Sequence, residues 1–306
     1  MGTNKKAYFI YNPAAGTGSS RANLSDVINV LTMGGYDVLV HPTQARLDGR
    51  EFVKERAHEA DLIVCSGGDG TLCEVVSGVY LSGSGVPIGY IPSGSTNDYA
   101  ASIGLPKSSK KAAECIVKGK LHSFDLGRFN DRNFIYVAAF GWFTDVSYTT
   151  DQNLKNVLGH GAYMLEAGKR LFKMPVYDVK VHTDEMDVEE SIVYGMVTNT
   201  RSVGGLKDFA WHEVDMDDGL FEVTLVHNPS NILDISEAVT SLLSGEPSRL
   251  IHKFKTRSLE ISCDQEISWT LDGEDAGSYK DVSIENLHNA YTLIVNDQPP
   301  ARRQAQ

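Results

Sequence analysis

The sequence has no apolar run of the roughly 18 residues that a membrane-spanning helix needs. It has only four cysteines and no Cys-x-x-Cys pair, so a disulfide framework is not expected. An excess of positive charge is also missing, because 40 acidic residues oppose 28 basic ones and the formal net charge is −12. Such a chain repels nucleic acid, and no signal-peptide core is visible. These absences predict a cytoplasmic protein without a nucleic-acid partner or a transmembrane segment.

The pattern of apolar residues changes once along the chain. Up to about residue 126, short apolar strands alternate with amphipathic helical stripes, which predicts an α/β domain doubly wound around a parallel sheet. Beyond it, apolar and polar residues alternate with period two, as in Tyr177–Val181, which predicts a β-rich antiparallel sandwich. Two helices are expected there, near 153–173 and 230–244.

These patterns predict two domains in the 306 residues. The first is predicted to span 1–126, and the C-terminal segment from about 291 to 306 is a candidate to pack back on it. The second is predicted to span 127–290.

Three glycine-rich segments follow predicted strands of the first domain. They are Asn12–Gly18, Ser66–Thr71 and Pro92–Asp98. Glycines let a backbone approach an anion, and the N–H groups at a helix start stabilise phosphate. Because all three would lie at the carboxyl ends of parallel strands, they predict a phosphate site. None contains the Gly-Lys-Ser/Thr ending of a Walker A loop or the GxGxxG spacing of a dinucleotide site.

Two acidic turns stand out in the second domain. Asp215–Leu220 places carboxylates around a glycine and suits either a hard cation or a solvated turn. Asp272–Glu274 flanks a glycine at a strand end and suits either a hairpin turn or a general base. The residues alone leave both alternatives open.

Taken together, the Asn-Pro-x-x-Gly, Gly-Gly-Asp-Gly-Thr and Pro-x-Gly-x-x-Asn-Asp segments resemble the diacylglycerol kinase catalytic domain. The whole chain is more closely similar to the soluble bacterial lipid kinases of the diacylglycerol kinase and YegS-like group. The resemblance implies the NAD kinase/diacylglycerol kinase-like fold, in which the first domain binds the nucleotide and the second binds the lipid substrate. It also implies an active site in the cleft between the two domains. Cys73 and Ser95 depart from the family, which usually has Asn and Thr there, and neither change removes a charge.

The resemblance also implies a role for individual residues, with ATP and Mg²⁺ as cofactors. Asp69, Asp98 and Asp125 are expected to form a carboxylate network that organises magnesium with ATP. Glu274 matches the proton acceptor and Asp272 an orienting or metal-binding group, although the assignment of the base between these two stays open. The expected nucleotide contacts are Asn12, Pro13, Ala14, Ala15, Gly16, Thr43, Gly67, Gly68, Asp69, Gly70, Thr71, Leu72, Glu74, Thr96, Asn97 and Asp98.

A structural magnesium is implied at the first acidic turn. Its expected ligands are the carboxylates of Asp215 and Asp218 and the backbone carbonyl of Leu220. The expected catalytic residues are therefore Glu274, Asp272 and Asp69.

The predicted activity is transfer of the γ-phosphate of ATP to a lipid hydroxyl at the membrane surface, with diacylglycerol as first choice and phosphatidic acid as product. Phosphatidylglycerol or a sphingoid base is an alternative acceptor. A soluble kinase resembling NAD kinase and a noncatalytic nucleotide-binding module are weaker alternatives. The resemblance adds that relatives often form homodimers. A lysine-rich stretch at 107–120 is either a solvated face or a membrane-docking face.

Overall fold

The computed structural model describes residues 5–16, 24–142, 144, 175–207 and 209–296. The helix expected near 153–173 and the end of the chain from 297 lie outside the described residues. The chain divides into two compact units. One contains the described residues up to Phe124 and those from Asn289 onward, and the other is Asp125–His288.

The first unit is built on a parallel sheet. Its strands are β1 (Lys5–Tyr11), β2 (Tyr36–Pro42), β3 (Leu62–Gly67) and β4 (Ile88–Pro92), in the spatial order β4-β3-β1-β2. Its helices are α1 (Leu24–Met33), α2 (Asp48–Arg56), α3 (Asp69–Ser82), α4 (Asp98–Ser102) and α5 (Ser109–Lys118), and a 3₁₀ turn spans Ala57–Glu59.

Helices cover both faces of this sheet. On one face, Phe9 and Val64 pack in a buried cluster with Leu31 of α1 and Ile116 of α5. On the other face, the ring of Tyr8 lies 5.7 Å from that of Phe52 in α2. The strands β1, β3 and β4 are buried on both sides, as their continuous apolar sequences predict. The doubly wound α/β prediction is confirmed.

The second unit is antiparallel. β5 (Lys120–Phe129) enters it from the first unit, and β15 (Glu274–Val295) leaves it. Between them come β6 (Arg132–Phe134), β7 (Val137–Gly141), β8 (Tyr177–Thr183), β9 (Asp187–Thr198), β10 (Ser202–Val203), β11 (Leu206–Lys207), β12 (Phe221–His227), β13 (Ile251–Thr256) and β14 (Ser258–Leu271). The helix α6 (Ile232–Ser244) follows β12 and matches the helix expected near 230–244.

Within this unit the strands run in the order β13-β12-β9-β7-β14-β15, and β8 also pairs with both β9 and β14. The core contains an aromatic group, in which the Trp269 ring lies 5.1 Å from Phe129 and 4.5 Å from Phe140. Along Tyr177–Thr183, buried and exposed residues alternate strictly, as the period-two pattern predicts. The β-rich antiparallel second domain is confirmed.

The lysine-rich stretch at 107–120 contains the helix α5. Its Ala112, Ala113 and Ile116 are buried, while Lys110 and Lys111 are exposed. The amphipathic pattern accounts for the lysines as a solvated face, and docking of this face on a membrane stays a prediction. In the described ranges, no helix combines the length and the apolar character needed to span a membrane.

Candidate active site

Three loops of the first unit lie at the same edge of its sheet. The strands β1, β3 and β4 are parallel neighbours, so the segments that follow Tyr11, Gly67 and Pro92 emerge side by side. Backbone hydrogen bonds join them: the N–H of Asn12 donates to Ser66 O at 2.9 Å, and the N–H of Ser93 donates to Gly67 O at 2.8 Å. The topology therefore brings together all three glycine-rich segments.

The strand β3 continues through Gly67, and the helix α3 begins at Asp69, so Gly68 alone connects them. The turn is thus shorter than the sequence suggested, and Asp69–Thr71 already form the first helical turn. No side chain caps this helix start in the described structure. Because the first N–H groups of a helix have no intrahelical acceptor, an uncapped start of this kind can bind an anion, with the helix dipole behind it.

Glycine is required at this site by close backbone packing. A Cβ on Gly94 would lie 2.5 Å from the Cα of Gly68, and a Cβ on Gly67 would lie 2.4 Å from the Cβ of Thr71. Neither neighbour can move as a flexible side chain would. The two loops consequently approach each other backbone to backbone.

The first loop is fastened to the second by a side chain. Asn12 Nδ2 donates to Thr71 Oγ1 at 3.2 Å, while Asn12 Oδ1 accepts from the N–H of Ala14 at 2.9 Å. Gly16 has φ +65, and a Cβ there would lie 2.4 Å from the backbone oxygen of Ser93. Asn12 is therefore a positioning group for this loop. The end of the segment, Thr17–Gly18, lies outside the described residues.

The carboxylate of Asp69 is buried and joins the second loop to the third. Its Oδ2 accepts from the N–H of Asp98 at 2.9 Å, and its Oδ1 accepts from the N–H of Tyr99 at 3.3 Å. Asn97 precedes them with φ +55, and its side chain exchanges hydrogen bonds with the backbone of Gly94. Asp69 thus orders the start of α4. This contact was not visible in the sequence, where the family resemblance implied a magnesium-organising, nucleotide-binding and catalytic role for Asp69.

Other predicted nucleotide contacts have different environments. Glu74 Oε1 accepts from the N–H of Leu47 at 2.7 Å, and Thr43 donates its N–H to Tyr11 O at 2.9 Å. The side chain of Leu72 is fully buried, so only its backbone could face a ligand, whereas Thr96 is exposed.

The cysteine beside the phosphate loop is inert. Burial, with smaller contributions from Glu74 and Asp69, raises the pKa of the Cys65 thiol. A protonated, buried thiol is a poor nucleophile, which agrees with a packing role for this residue.

In the second unit, Asp272 and Gly273 form a two-residue hairpin turn between β14 and β15. Their φ angles are +51 and +79, the signature of a turn with both central residues in the left-handed region. The side chain of Asp272 is buried and accepts three backbone N–H groups, from Ile135 at 2.8 Å, Tyr136 at 3.0 Å and Val137 at 3.1 Å. Asp272 is therefore an anchor for the segment that leads into β7.

Glu274 directly follows this turn and is paired with Leu271 across the hairpin. Unlike Asp272, its side chain is exposed. A carboxylate that already accepts three amides has little capacity left for a substrate proton, whereas an exposed one can reach a substrate hydroxyl. Of the two acids in this turn, Glu274 is the better placed to act as a base.

The acidic turn at Asp215–Leu220 is organised by Asp125, which is completely buried. Asp125 Oδ2 accepts from the N–H of Gly219 at 2.7 Å, and its Oδ1 lies 3.0 Å from His288 Nδ1. Its backbone N–H also donates to Met216 O at 3.0 Å. Within the second unit, Asp125 therefore supports the predicted metal turn. The sequence had grouped it instead with Asp69 and Asp98.

The donors of the predicted metal site fit a hard cation. Two carboxylates and a carbonyl within six residues offer the oxygen ligands that Mg²⁺ prefers, and water completes such sites. Basic groups face both acids: Arg201 Nη2 lies 3.9 Å from Asp215 Oδ1, and Lys255 Nζ lies 3.6 Å from Asp218 Oδ2. No group of three or more His, Cys, Asp or Glu side chains in the described part of the chain is arranged for a metal. A cation bound by Asp215 and Asp218 would therefore need the Leu220 carbonyl and water as further ligands.

Beside this turn lies an ion pair that the sequence analysis missed. Glu222 is completely buried, and its Oε1 lies 2.8 Å from Lys255 Nζ. Burial raises the pKa of Glu222 to about 7, although Lys255 opposes that effect. A charged residue within the apolar strand Phe221–His227 was the available signal.

Known proteins resemble this chain over most of its length. The sequence model of the diacylglycerol kinase catalytic domain matches residues 6–129. The chain is 31% identical over 277 residues to the diacylglycerol kinase of Bacillus subtilis (strain 168), covering 89% of this chain and 91% of that protein. It is 29% identical to the diacylglycerol kinase of Staphylococcus saprophyticus, covering 89% and 90% respectively.

Solved structures resemble the fold over almost its whole length. A crystal structure from Bacillus anthracis str. Sterne, assigned as a diacylglycerol kinase, matches with a TM-score of 0.80 and 26% identity, covering 97% of this chain and 99% of that one. A second structure from the same organism, a diacylglycerol kinase with 24% identity and the same coverage, has a TM-score of 0.75 and supports the fold alone.

Proposed function

The chain belongs to the diacylglycerol kinase family of lipid kinases, and on that premise we propose that it transfers the γ-phosphate of ATP to the hydroxyl of diacylglycerol, giving phosphatidic acid. The observation that carries the proposal is the uncapped start of α3 directly behind Gly68. A transferring phosphoryl group is stabilised chiefly by fixed donors and metal charge. A helix start without a side-chain cap can supply such donors without reorganisation.

In this proposal, the first unit binds the nucleotide. The amides of Gly68–Thr71 hold its phosphates, while Asn12 and Gly94 keep the neighbouring loops closely packed. Asp69 and Asp98 belong to the network that holds magnesium with ATP, and Asp69 also positions α4 through its backbone contacts. Magnesium supplies charge that offsets the negative phosphoryl oxygens.

The second unit supplies the base. Glu274 accepts the proton of the lipid hydroxyl as that oxygen attacks the γ-phosphate in line. Asp272 orients Glu274 indirectly, since its three amide contacts fix the hairpin turn on which Glu274 lies. Asp215, Asp218 and the Leu220 carbonyl hold a second, structural magnesium.

Diacylglycerol is the preferred acceptor because the curated relatives carry that name. The deciding experiment incubates the purified chain with labelled ATP and vesicles of one lipid at a time: diacylglycerol, phosphatidylglycerol or a sphingoid base. We expect label in phosphatidic acid, and loss of that label when magnesium is chelated. If only another lipid were labelled, that lipid would be the acceptor in place of diacylglycerol.

The same assay tests the two other functions. NAD added in place of the vesicles tests a soluble kinase of the NAD kinase type, and we expect no labelled NADP. A noncatalytic module would bind ATP with measurable affinity and label none of these acceptors, which would contradict the proposal.

We further propose that the protein is cytoplasmic and associates with the membrane surface, because its acceptor lies in a bilayer. Co-sedimentation with diacylglycerol-containing vesicles tests the association. The expectation of a homodimer is checked by analytical ultracentrifugation of the purified chain, where a mass near the 33.5 kDa of one copy would contradict it.

A further inference from the structure

A lysine contacts the proposed metal turn from a neighbouring strand. Lys255 Nζ lies 2.8 Å from Glu222 Oε1 and 3.6 Å from Asp218 Oδ2, so a single ammonium lies between two carboxylates. Glu222 is completely buried, and the side chains of Lys255 and Asp218 are 34% and 28% exposed. Two of the three charged groups therefore remain accessible from solvent, where a cation would arrive.

The position of this lysine is set by the sheet. Glu222 and Lys255 are directly paired residues of β12 and β13, so strand pairing places the ammonium beside the buried carboxylate. Asp218 is brought to the same ammonium separately, by the turn in which Gly219 has φ +77 and donates to Asp125. Lys255 thus contacts both the turn, through Asp218, and the neighbouring strand, through Glu222.

The buried carboxylate cannot easily dispense with this partner. Both carboxylate oxygens of Glu222 are buried and make no hydrogen bond of good geometry in the described structure, although Lys255 Nζ lies 2.8 Å from Oε1 as an ion pair. A buried charge without a partner is costly, so Glu222 holds Lys255 strongly. Asp218 is more exposed and also accepts the N–H of Leu220 at 3.0 Å, which makes its contact with Lys255 the weaker of the two.

From this arrangement we propose that Lys255 is a built-in competitor for the metal at Asp218, and that Glu222 retains the lysine when the metal binds. The inference rests on the magnesium position in the proposed function. An ammonium and a divalent cation repel each other, so both cannot occupy one carboxylate without loss of affinity. The chain would then bind metal at this turn more weakly than its oxygen donors allow.

The test titrates Mn²⁺, a paramagnetic substitute for Mg²⁺, into the full-length chain without nucleotide and measures unbound Mn²⁺ by electron paramagnetic resonance. Lys255→Met should bind Mn²⁺ about ten-fold more tightly than the wild type, because the competing charge is gone. Glu222→Gln should bind it several-fold more weakly, because Lys255 then has only Asp218 as its partner. Lys180→Met is the matched control, since Lys180 forms an exposed ion pair with Glu189 elsewhere in the unit, at 3.4 Å.

The double variant Lys255→Met/Glu222→Gln separates competition from simple net charge. If Glu222 acts only through Lys255, the double variant should bind Mn²⁺ as tightly as Lys255→Met. If the two charges act independently, it should return to the wild-type affinity, and the inference is overturned. This variant also removes both members of the buried pair, so it stays informative even where Lys255→Met alone leaves Glu222 unpaired and unfolds the chain.

A further variant, Asp215→Asn, distinguishes failure of this inference from failure of the proposed function. Wild-type binding that depends on Asp215 but does not change in Lys255→Met refutes the competition alone. Wild-type Mn²⁺ binding that is absent or insensitive to Asp215→Asn refutes the magnesium position and the competition with it. The lipid-labelling assay decides the kinase activity independently of both.

Discussion

Each unit of the molecule contains a buried aspartate that accepts backbone N–H groups, but the groups beside the two aspartates differ. Asp69 accepts two amides and orders the start of α4, and it lies at the start of α3, which no side chain caps. Asp272 accepts three amides and orders a hairpin turn, beside which the side chain of Glu274 is exposed. The first unit therefore presents backbone donors, and the second presents a side-chain acceptor.

This difference suits the two partners of a phosphoryl transfer. Phosphate oxygens need many fixed donors, which a backbone provides without a side chain that could move. A hydroxyl needs one acceptor within reach, which a single exposed carboxylate provides. In both units, then, a buried aspartate that accepts backbone N–H groups fixes a neighbouring group: hydrogen-bond donors in the first unit and an acceptor in the second. Substitutions can test the aspartates and the groups that they position separately.

The largest effect is expected for the exposed acceptor itself. Glu274→Gln should lower kcat by about 10²–10⁴, the usual contribution of a positioned base. Its thermal midpoint should stay close to that of the wild type, because the side chain is exposed. Asp275→Asn, the neighbouring exposed acid, is the control and should keep kcat within about two-fold. If Glu274→Gln kept the wild-type turnover, another residue would have to act as the base.

Substitution of Asp272 or Asp69 should lower the stability of the protein as well as its activity, unlike substitution of Glu274. Asp272→Ala leaves three buried amides without their acceptor and should reduce the free energy of unfolding by about 3 kcal/mol or more, whereas Asp69→Ala, with two, should lose about 2 kcal/mol. Urea unfolding followed by circular dichroism measures both values. We also expect Asp69→Ala to fold and yet to lose most turnover. Unchanged unfolding in Asp272→Ala would remove its anchoring role.

Substitution of a glycine tests whether close packing of the loops in the first unit matters for ATP binding. Gly94→Ala should raise the Kd for ATP by about ten-fold, since its Cβ would meet the Cα of Gly68 at 2.5 Å and separate the two loops. Gly83→Ala is the control: it is strained at φ +66 but has open space around its Cβ, so it should cost about 1 kcal/mol of stability and leave the Kd unchanged. Equal Kd changes in both variants would mean that only stability is affected.

The smallest effect concerns an aspartate away from both sites. The backbone N–H of Ser230, followed by contacts with Arg249 and Asn231, lowers the pKa of Asp234 at the start of α6. Because the folded pKa lies below the unfolded one, the stabilisation is present at neutral pH and is lost as the pH falls through the folded value. Between pH 6 and pH 3, the thermal midpoint of Asp234→Asn should therefore fall by about 1–2 °C less than that of the wild type. An identical fall in both proteins would contradict this.

Much of the fold could be predicted from local patterns. The continuous apolar strands of the first unit and the period-two alternation of Tyr177–Thr183 each report which faces are buried, and burial is a local property of a strand. The limits of the elements were less certain. The strand β3 extends through Gly67, because pairing with its neighbours, rather than composition, decides where a strand ends.

The candidate site was predicted in part. Glycine spacing indicated the three loops, and Asp-Gly indicated the hairpin before Glu274. The partners of the acids could not be predicted, since Asp69 contacts Asp98 and Tyr99, about thirty positions away in the sequence. The Glu222–Lys255 pair was missed for the same reason, because it depends on the register between two strands.

The sequence by itself determined the two fold types, the glycine-rich turn at Gly68 and the presence of acids at two turns, because glycine conformation and hydrophobic periodicity act over a few residues. Only the tertiary structure decided which acids serve as buried anchors and which carboxylate is exposed. That distinction depends on which backbone amides lie within hydrogen-bonding distance of each carboxylate, and those amides come from distant parts of the chain.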